Sequence, residues 1–598
     1  MVGTKSLLLL RVDFSDANGA AISQSDATNL VAALNDYYRE MSYGRAGFSL
    51  VGSGSVVTPA LRLPEPSSAY DNNFTKLLTD ARAAAAAAGF AHEAFDSHVV
   101  FTGSKPFLVF GALAYQGGPG VWIGNNNFNV GVLGHELGHN FGLLHASLWN
   151  PTGASALGSG LKVEYGDPFD SMGVPGGSVN HFNARFKHLL GWLDDADAPL
   201  ITQSGTYRLY AEDHPDARGI RALRIARSAD LVYWLEFRQF FKSQYATNGL
   251  LVRWAGSAEQ NTLLLDTTPG SAGGRNDAPL IIGRTLSDPC IDFHITPIAE
   301  GEASPNFVDV VIQRGPFVDN APPQLELTAG ALSANVGQAI SFEARAADAN
   351  GDSLAYSWDF GDFTVGENKP SLSHAWLLPG EFVVRCTVSD MKGGTASKSL
   401  VVRIGTFSTF QISGSVLREG APVPDALVRV LGTTRIGWSD SDGTYVITRV
   451  NSGTYEISAD MDRANCFPLN FSNPVTVGPN AAGLTFLAVP DDLNMAAIIS
   501  KGAVWKYLAD ASAPAGNWTG IDFNDASWKS GPAKLGFGAG DEATPIQLPD
   551  PNQRPTTVYF RRLVNIVNPQ EIGSLVFRLR RDDGAVIYWN GTELFREN

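Results

Sequence analysis

The chain has 598 residues and a formal net charge of −16, from 44 Lys plus Arg against 60 Asp plus Glu, a balance that repels phosphate backbones and argues against a nucleic-acid partner. Hydrophobic residues make up 44% of it, enough for several cores, while no stretch reaches the roughly 18 apolar residues of a spanning helix. Its three scattered cysteines, Cys290, Cys386 and Cys466, cannot build a disulfide framework, so a membrane span, a disordered polymer and a cystine knot are all excluded.

Residues 7–14, LLLLRVDF, form a compact apolar run suited to a buried strand. Leu30, Leu34, Tyr37 and Met41 recur at helical spacing, which predicts a helix over 29–42 stopped by Gly44. A second helix is predicted from about Asp71 through the alanine tract to Gly89, and a core strand over 97–101 (SHVVF). Helices near 129–141 and 182–190 follow Gly-rich loops. After Trp192 the texture changes to short alternating runs (YRLY, YWLEF, LLVRW, VDVVIQ) bounded by turn residues, the pattern of β-sandwich modules. Breaks at 315–323, 404–410 and 489–494 divide the rest, giving one α/β domain and four β modules.

Residues 135–145 read HELGHNFGLLH. His135 and His139 lie one helical turn apart on one face, spacing that lets two imidazoles reach one Zn2+. Leu133, Leu137 and Phe141 recur on the opposite face and are free to pack on the core. Gly142 stands where a helix ends in the left-handed conformation, so the chain can turn and bring His145 back as a third ligand. Three protein ligands leave one coordination position for water, the catalytic type of site, with Glu136 placed as general acid/base.

This pattern resembles the metzincin metalloproteases, whose signature continues to a methionine turn, matched here by EYGDPFDSMG (164–173) with Met172 as the structural floor. HELGHNFGLLHA, YGDPFDSMG and HFNARFKHLLGWL (181–193) resemble the gametolysin family in particular, over roughly residues 5–200. The resemblance implies an α/β (α+β) metzincin-like catalytic domain over 1–200 and a secreted zinc-dependent endopeptidase. It would hold one catalytic Zn2+ on His135, His139 and His145, with Glu136 as acid/base. Two positions depart from related patterns. Val174 stands where astacin-like enzymes carry a tyrosine, leaving Tyr165 or a loop N–H to stabilise the oxyanion, and Ala146 stands where disintegrin-type relatives carry Asp. Metzincins bind substrate as an added strand on a sheet edge; part of 108–124 is the candidate, and it reads equally as a loop and a core strand.

Residues 201–316 form a β-sandwich accessory region in which His214 and His294 read as ordinary histidines. YSWDFGD, HAWLLPGEFVV and TVSD make 317–407 resemble a PKD domain, an immunoglobulin-like sandwich with Trp358 in its core and Gly361 in a turn. DANGD (348–352) has the oxygens of a calcium loop without its closing glutamate, so it reads as a solvated turn and structural Ca2+ as an unsupported option. Residues 408–491 resemble a carboxypeptidase-regulatory-like sandwich, with DSDG as a hairpin turn. Residues 492–598 resemble a galactose-binding-like jelly roll, through FNDASWKSGPAKLGFG and RRDDGAVIYWNGTELFREN, that stops short of its last strands. The chain is therefore expected to be a fragment at both ends, without leader or pro-segment, of a secreted, bacterial protein. Protein or glycoprotein substrates of the matrix or cell wall are the expected partners, with extracellular polysaccharide or a cell surface met by the sandwiches. A non-catalytic zincin-scaffold adhesin is the alternative; the intact Glu136 and histidines favour catalysis.

Overall fold

A run of leucines without alternation needs a strand covered on both faces, and the computed structural model provides one. It describes residues 1–490 apart from 18, 50–53, 175–178, 241–248, 257–258, 272, 302–305 and 463, and residues 498–597 apart from 501, 511–512, 515, 538–541, 547–554, 556, 567–578 and 580–583. Strand β1 (Leu7–Asp13) is followed by α1 (Gln24–Met41), β2 (Val56–Arg62), α2 (Phe74–Ala87), β3 (Ser97–Phe101), β4 (Ala112–Ala114), β5 (Gly120–Ile123) and α3 (Val130–Asn140). The sheet order is β2-β1-β3-β5-β4, parallel except for the antiparallel edge strand β4. Leu7 and Leu9 pack with α1 and α3 on one face, and Leu8 and Leu10 with α2 on the other. α1 starts earlier than its apolar spacing predicts because Ser23 caps it, accepting from the Asp26 N–H.

Beyond α3 come β6 (Ala146–Pro151), β7 (Gly160–Val163) and α4 (Ala184–Leu189), then β8 (Gly205–Tyr210), β9 (Ala222–Ala226), β10 (Leu231–Glu236), β11 (Gly249–Gly256), β12 (Thr262–Leu265), β13 (Leu286–Asp288), β14 (Phe293–Gly301) and β15 (Phe307–Arg314). One sheet, β9-β10-β11-β12-β6-β7, crosses the boundary expected at residue 200: β12 pairs in parallel with β6, from Thr262 opposite Ala146 to Leu265 opposite Trp149. A second sheet, β8-β15-β14-β13, packs on it around Leu209, Tyr233, Leu235, Val252, Phe293 and Val310. The change of texture after Trp192 thus marks a change of element type inside one packed body.

A buried charge network joins the same two regions. Lys187 pairs with Glu212 at 2.7 Å, Arg238 with Glu212 at 3.0 Å and Glu236 at 2.9 Å, and Arg253 with Asp167 and Glu236, both at 2.6 Å. All six side chains are at most 1% exposed.

Strands from Gln324–Ala329 to Thr395–Ile404 form two facing sheets over a core holding Trp358, Trp376 and Phe382, and Gly361 turns with φ +72°. Strands from Phe410–Arg418 to Ala481–Pro490 build the next β module, where Gly443 of the DSDG turn has φ +75°. These belong with everything before them to one unit, Met1–Asp491. The second unit, Asp492–Asn598, contains a three-stranded sheet (Lys529–Pro532, Val504–Leu508, Tyr559–Arg561) and a hairpin (Ala585–Trp589, Thr592–Glu597). Residues 580–583 of its RRDDG motif and 491–494 of the expected boundary lie outside the described residues. The three cysteines are free.

Candidate metal centre

α3 begins where the Asn129 side chain accepts from the Val132 N–H at 2.9 Å. Leu133 and Leu137 are buried in the core shared with α1, and Phe141 packs against it. The opposite face carries His135 and His139, with Glu136 beside them. The helix stops at Gly142, whose φ of +97° a side chain would strain. The Gly142 and Leu143 N–H groups close on the carbonyls of His139 and Gly138, at 2.8 and 3.0 Å. His145 then stands directly before β6, so its position is tied to the sheet completed by β12.

One ring nitrogen of each histidine can be placed within 4.8 Å of one from each of the other two. In each ring Nδ1 meets an acceptor: the Ser171 carbonyl for His135 at 2.8 Å, the Leu143 carbonyl for His139 at 2.8 Å, and the Glu164 carboxylate for His145 at 2.6 Å. An Nδ1–H bonded in this way leaves the Nε2 lone pair as donor to a metal, and His145 Nε2 is buried without a hydrogen-bond partner among the described residues. Burial lowers all three imidazole pKa values, to about 3 for His135 and about 4 for His139, so the rings are neutral at neutral pH. Neutral, convergent imidazoles fit a Zn2+ ion. Burial alone pushes Glu136 up to about 8; a bound cation would pull it down again.

Met172 lies in the short helical turn Ser171–Gly173, fully buried beneath α3. A Cβ on Gly138 would come within 2.6 Å of the Met172 sulfur, so only glycine admits the floor this close. Asp170 holds the turn, accepting from the N–H groups of Met172 and Asn183, both at 2.6 Å. The Tyr165 ring lies over His145 with centroids 3.8 Å apart. Burial first, then the Glu136 and Glu164 carboxylates, push its phenol up to about 12, so it stays protonated at neutral pH.

The candidate substrate edge in 108–124 contains β4 and β5. Tyr115 N–H bonds the Gly120 carbonyl at 2.9 Å and Gly124 N–H the Gly111 carbonyl at 2.8 Å. Antiparallel alternation then turns the backbone groups of Ala112 and Ala114 outward, and among the described residues no strand pairs with that side.

Glu164, the Nδ1 partner of His145, is not legible in the sequence and lies 19 residues downstream in a loop; nor is Asn140, described below. Asp348 and Asp352 of DANGD are brought together with Asp390, their carboxylate oxygens within 4.8 Å; Lys392 pairs with Asp352, and Asn320 donates to Asp390 at 2.6 Å. His214 stacks on Phe240, and His294 Nδ1 meets Ser287 Oγ at 2.8 Å.

Residues 320–404 match the PKD domain family. Collagenase ColA of Clostridium perfringens (strain 13 / Type A) is 24% identical over 258 residues, 40% of this chain and 22% of that protein, so the chain spans about a fifth of this relative's length. Among solved structures, the PKD domain of an M14-like peptidase from Thermoplasmatales archaeon SCGC AB-540-F20 is 26% identical over 14% of this chain and 99% of that one, with a TM-score of 0.14. The PKD1 domain of Vibrio anguillarum Epp is 22% identical over 15% and 100%, with a TM-score of 0.13.

Proposed function

We propose that the chain is a secreted zinc-dependent endopeptidase of the metzincin type. The observation that carries this reading is the convergence of His135, His139 and His145, each with Nδ1 spent on an acceptor, beside the buried carboxyl of Glu136. The collagenase similarity lends support from outside the chain.

Zn2+ bound by the three Nε2 atoms would act as a Lewis acid toward a peptide carbonyl. Glu136 takes the proton of the attacking water and returns it to the leaving amine. Tyr165, protonated and with its ring over His145, donates to the developing negative charge in this reading. The outward N–H and C=O groups of Ala112 and Ala114 receive the substrate as an added strand. The same reading takes matrix or cell-wall proteins as substrates, the sandwiches as their anchors, and Asp348, Asp352 and Asp390 as oxygen ligands for a structural Ca2+. No helix among the described residues is long and apolar enough to cross a membrane.

Casein and gelatin cleavage should be abolished by a chelator and restored by Zn2+. Glu136→Gln should keep about one zinc per chain and lose at least a hundredfold in rate, the lower end of general acid–base effects. A Glu136→Gln protein that cuts as fast as wild type would refute the mechanism, and a zinc-loaded wild type that cuts no protein or peptide would leave the adhesin.

A further inference from the structure

The edge strand β4 is only three residues long and has one partner, so little in the sheet itself fixes its height over the metal centre. The turn from Tyr115 to Gly120 is instead fastened to the end of α3. The carbonyl of the ligand His139 accepts from Gly117 N–H as well as Gly142 N–H, both at 2.8 Å. The next residue, Asn140, projects about 100° further round the helix, away from the metal and toward the turn. Its Nδ2 donates to the carbonyls of Tyr115 and Gly120, both at 3.0 Å, so one amide spans the two strands where they separate. Asn140 is 9% exposed, and its Oδ1 has no hydrogen-bond partner among the described residues. The position uses the two N–H donors that only an amide of this length offers, and an aspartate would set a carboxylate against two carbonyl oxygens.

The clamp has a member from beyond residue 200. Gln116 Nε2 donates to the Gly142 carbonyl at 3.3 Å and to Gln260 Oε1 at 2.5 Å. The Gln260 carbonyl accepts from Leu144 N–H at 2.8 Å, one residue before the third histidine. Gln260 lies shortly before β12 and bonds both the β4–β5 turn and the strap leading into His145.

We infer that Asn140 and Gln260 are positioning residues: they register the β4 edge against the histidine triad, and Gln260, from beyond residue 200, thereby belongs to the substrate site. This rests on the proteolytic reading above. A peptide pairs with Ala112 and Ala114 along its length only if the edge is held in place, so loosening the edge removes binding that substrate and transition state share, a loss that appears in KM.

The test uses the zinc-loaded full chain, a casein peptide that wild type cleaves, and that peptide shortened stepwise from either end to the smallest fragment still cut. Wild type should prefer the long peptide. Asn140→Leu should raise KM for the long peptide by about tenfold, the scale of lost buried hydrogen bonds, with kcat, zinc content and short-peptide cleavage within about twofold. Gln260→Leu, at an exposed position, should act in the same direction by about threefold if Asn140→Leu folds poorly. Long and short peptides weakened alike, a loss of zinc, or a wild type indifferent to length would each overturn the inference while leaving the protease reading intact. A zinc-loaded wild type that cleaves nothing would remove that reading, and the inference with it.

Discussion

Two of the three histidine partners are backbone carbonyls, of Ser171 and Leu143, and the third is the Glu164 carboxylate, 2.6 Å from His145. That carboxylate orients the imidazole and raises its basicity toward a metal, an effect worth about 10–100-fold in affinity at metal sites. The Glu164 side chain is 61% exposed, which screens the charge and places it at the low end. Glu164→Gln keeps an acceptor but loses the charge, so zinc affinity, measured by competition with a chelating dye, should fall about tenfold. An unchanged affinity would show that the carbonyl-held pair suffices. The three histidines were legible as a cluster because one helix and one turn carry them within eleven residues. Glu164 was not, since in LKVEYGD it looks like any exposed acid and only the return of the chain beside His145 gives it a partner. Gly138 was equally silent: a glycine in mid-helix reads as a weak point until the Met172 sulfur is found beneath it.

Among the elements, α1, α2, α3 and β1 were legible from periodicity and apolar runs, and their ends moved where Ser23, Asn73 and Asn129 supply caps. β4 was not, because Ala-Leu-Ala is too short to show alternation and alanine has little strand preference; its pairing comes from β5 and the Asn140 clamp. A comparable tie holds the two sheets beyond residue 200 together. Asp288 at the end of β13 accepts from the Tyr233 hydroxyl of β10 and from Arg227, both at 2.6 Å. Burial would raise the Asp288 carboxyl, but those two hydrogen bonds, with the Cys290 N–H and the Arg227 charge, together outweigh it and hold its pKa below the usual value. A carboxyl with a depressed folded-state pKa stabilises the fold above its unfolded pKa of about 3.9 and loses that contribution as the pH falls through the lower folded value. Asp288→Asn should therefore cost about 1–3 kcal/mol near pH 7. The gap from wild type should narrow below about pH 4, read from denaturant midpoints across pH. A gap constant from pH 7 to 3 would mean that Asp288 acts by shape alone.

For the whole molecule, composition divides the chain near residue 200, but a composition boundary sees element types and is blind to which strands close which sheet. β6, which carries His145 at its entrance, takes β12 as a partner from the far side of that boundary. A chain ended at residue 200 would strip that edge of β6. It would leave Lys187 buried without Glu212, Asp167 without Arg253, and the Ala184 N–H without the Glu236 carboxylate that accepts from it at 2.6 Å. Each orphaned buried charge costs about 3–5 kcal/mol, so two of them approach the whole stability of an ordinary domain, about 5–15 kcal/mol. The piece 1–200 should accordingly be insoluble, or lack a cooperative transition and stoichiometric zinc. The piece 1–316 restores both sheets and the full charge network. It should unfold cooperatively and hold zinc, with some loss of stability because Thr285 gives up its 2.6 Å contact with Ser389 of the PKD domain. Calorimetry and metal analysis of the two pieces decide the matter: a 1–200 piece that melts cooperatively with zinc bound would show that the folded unit around the histidines ends where the composition changes.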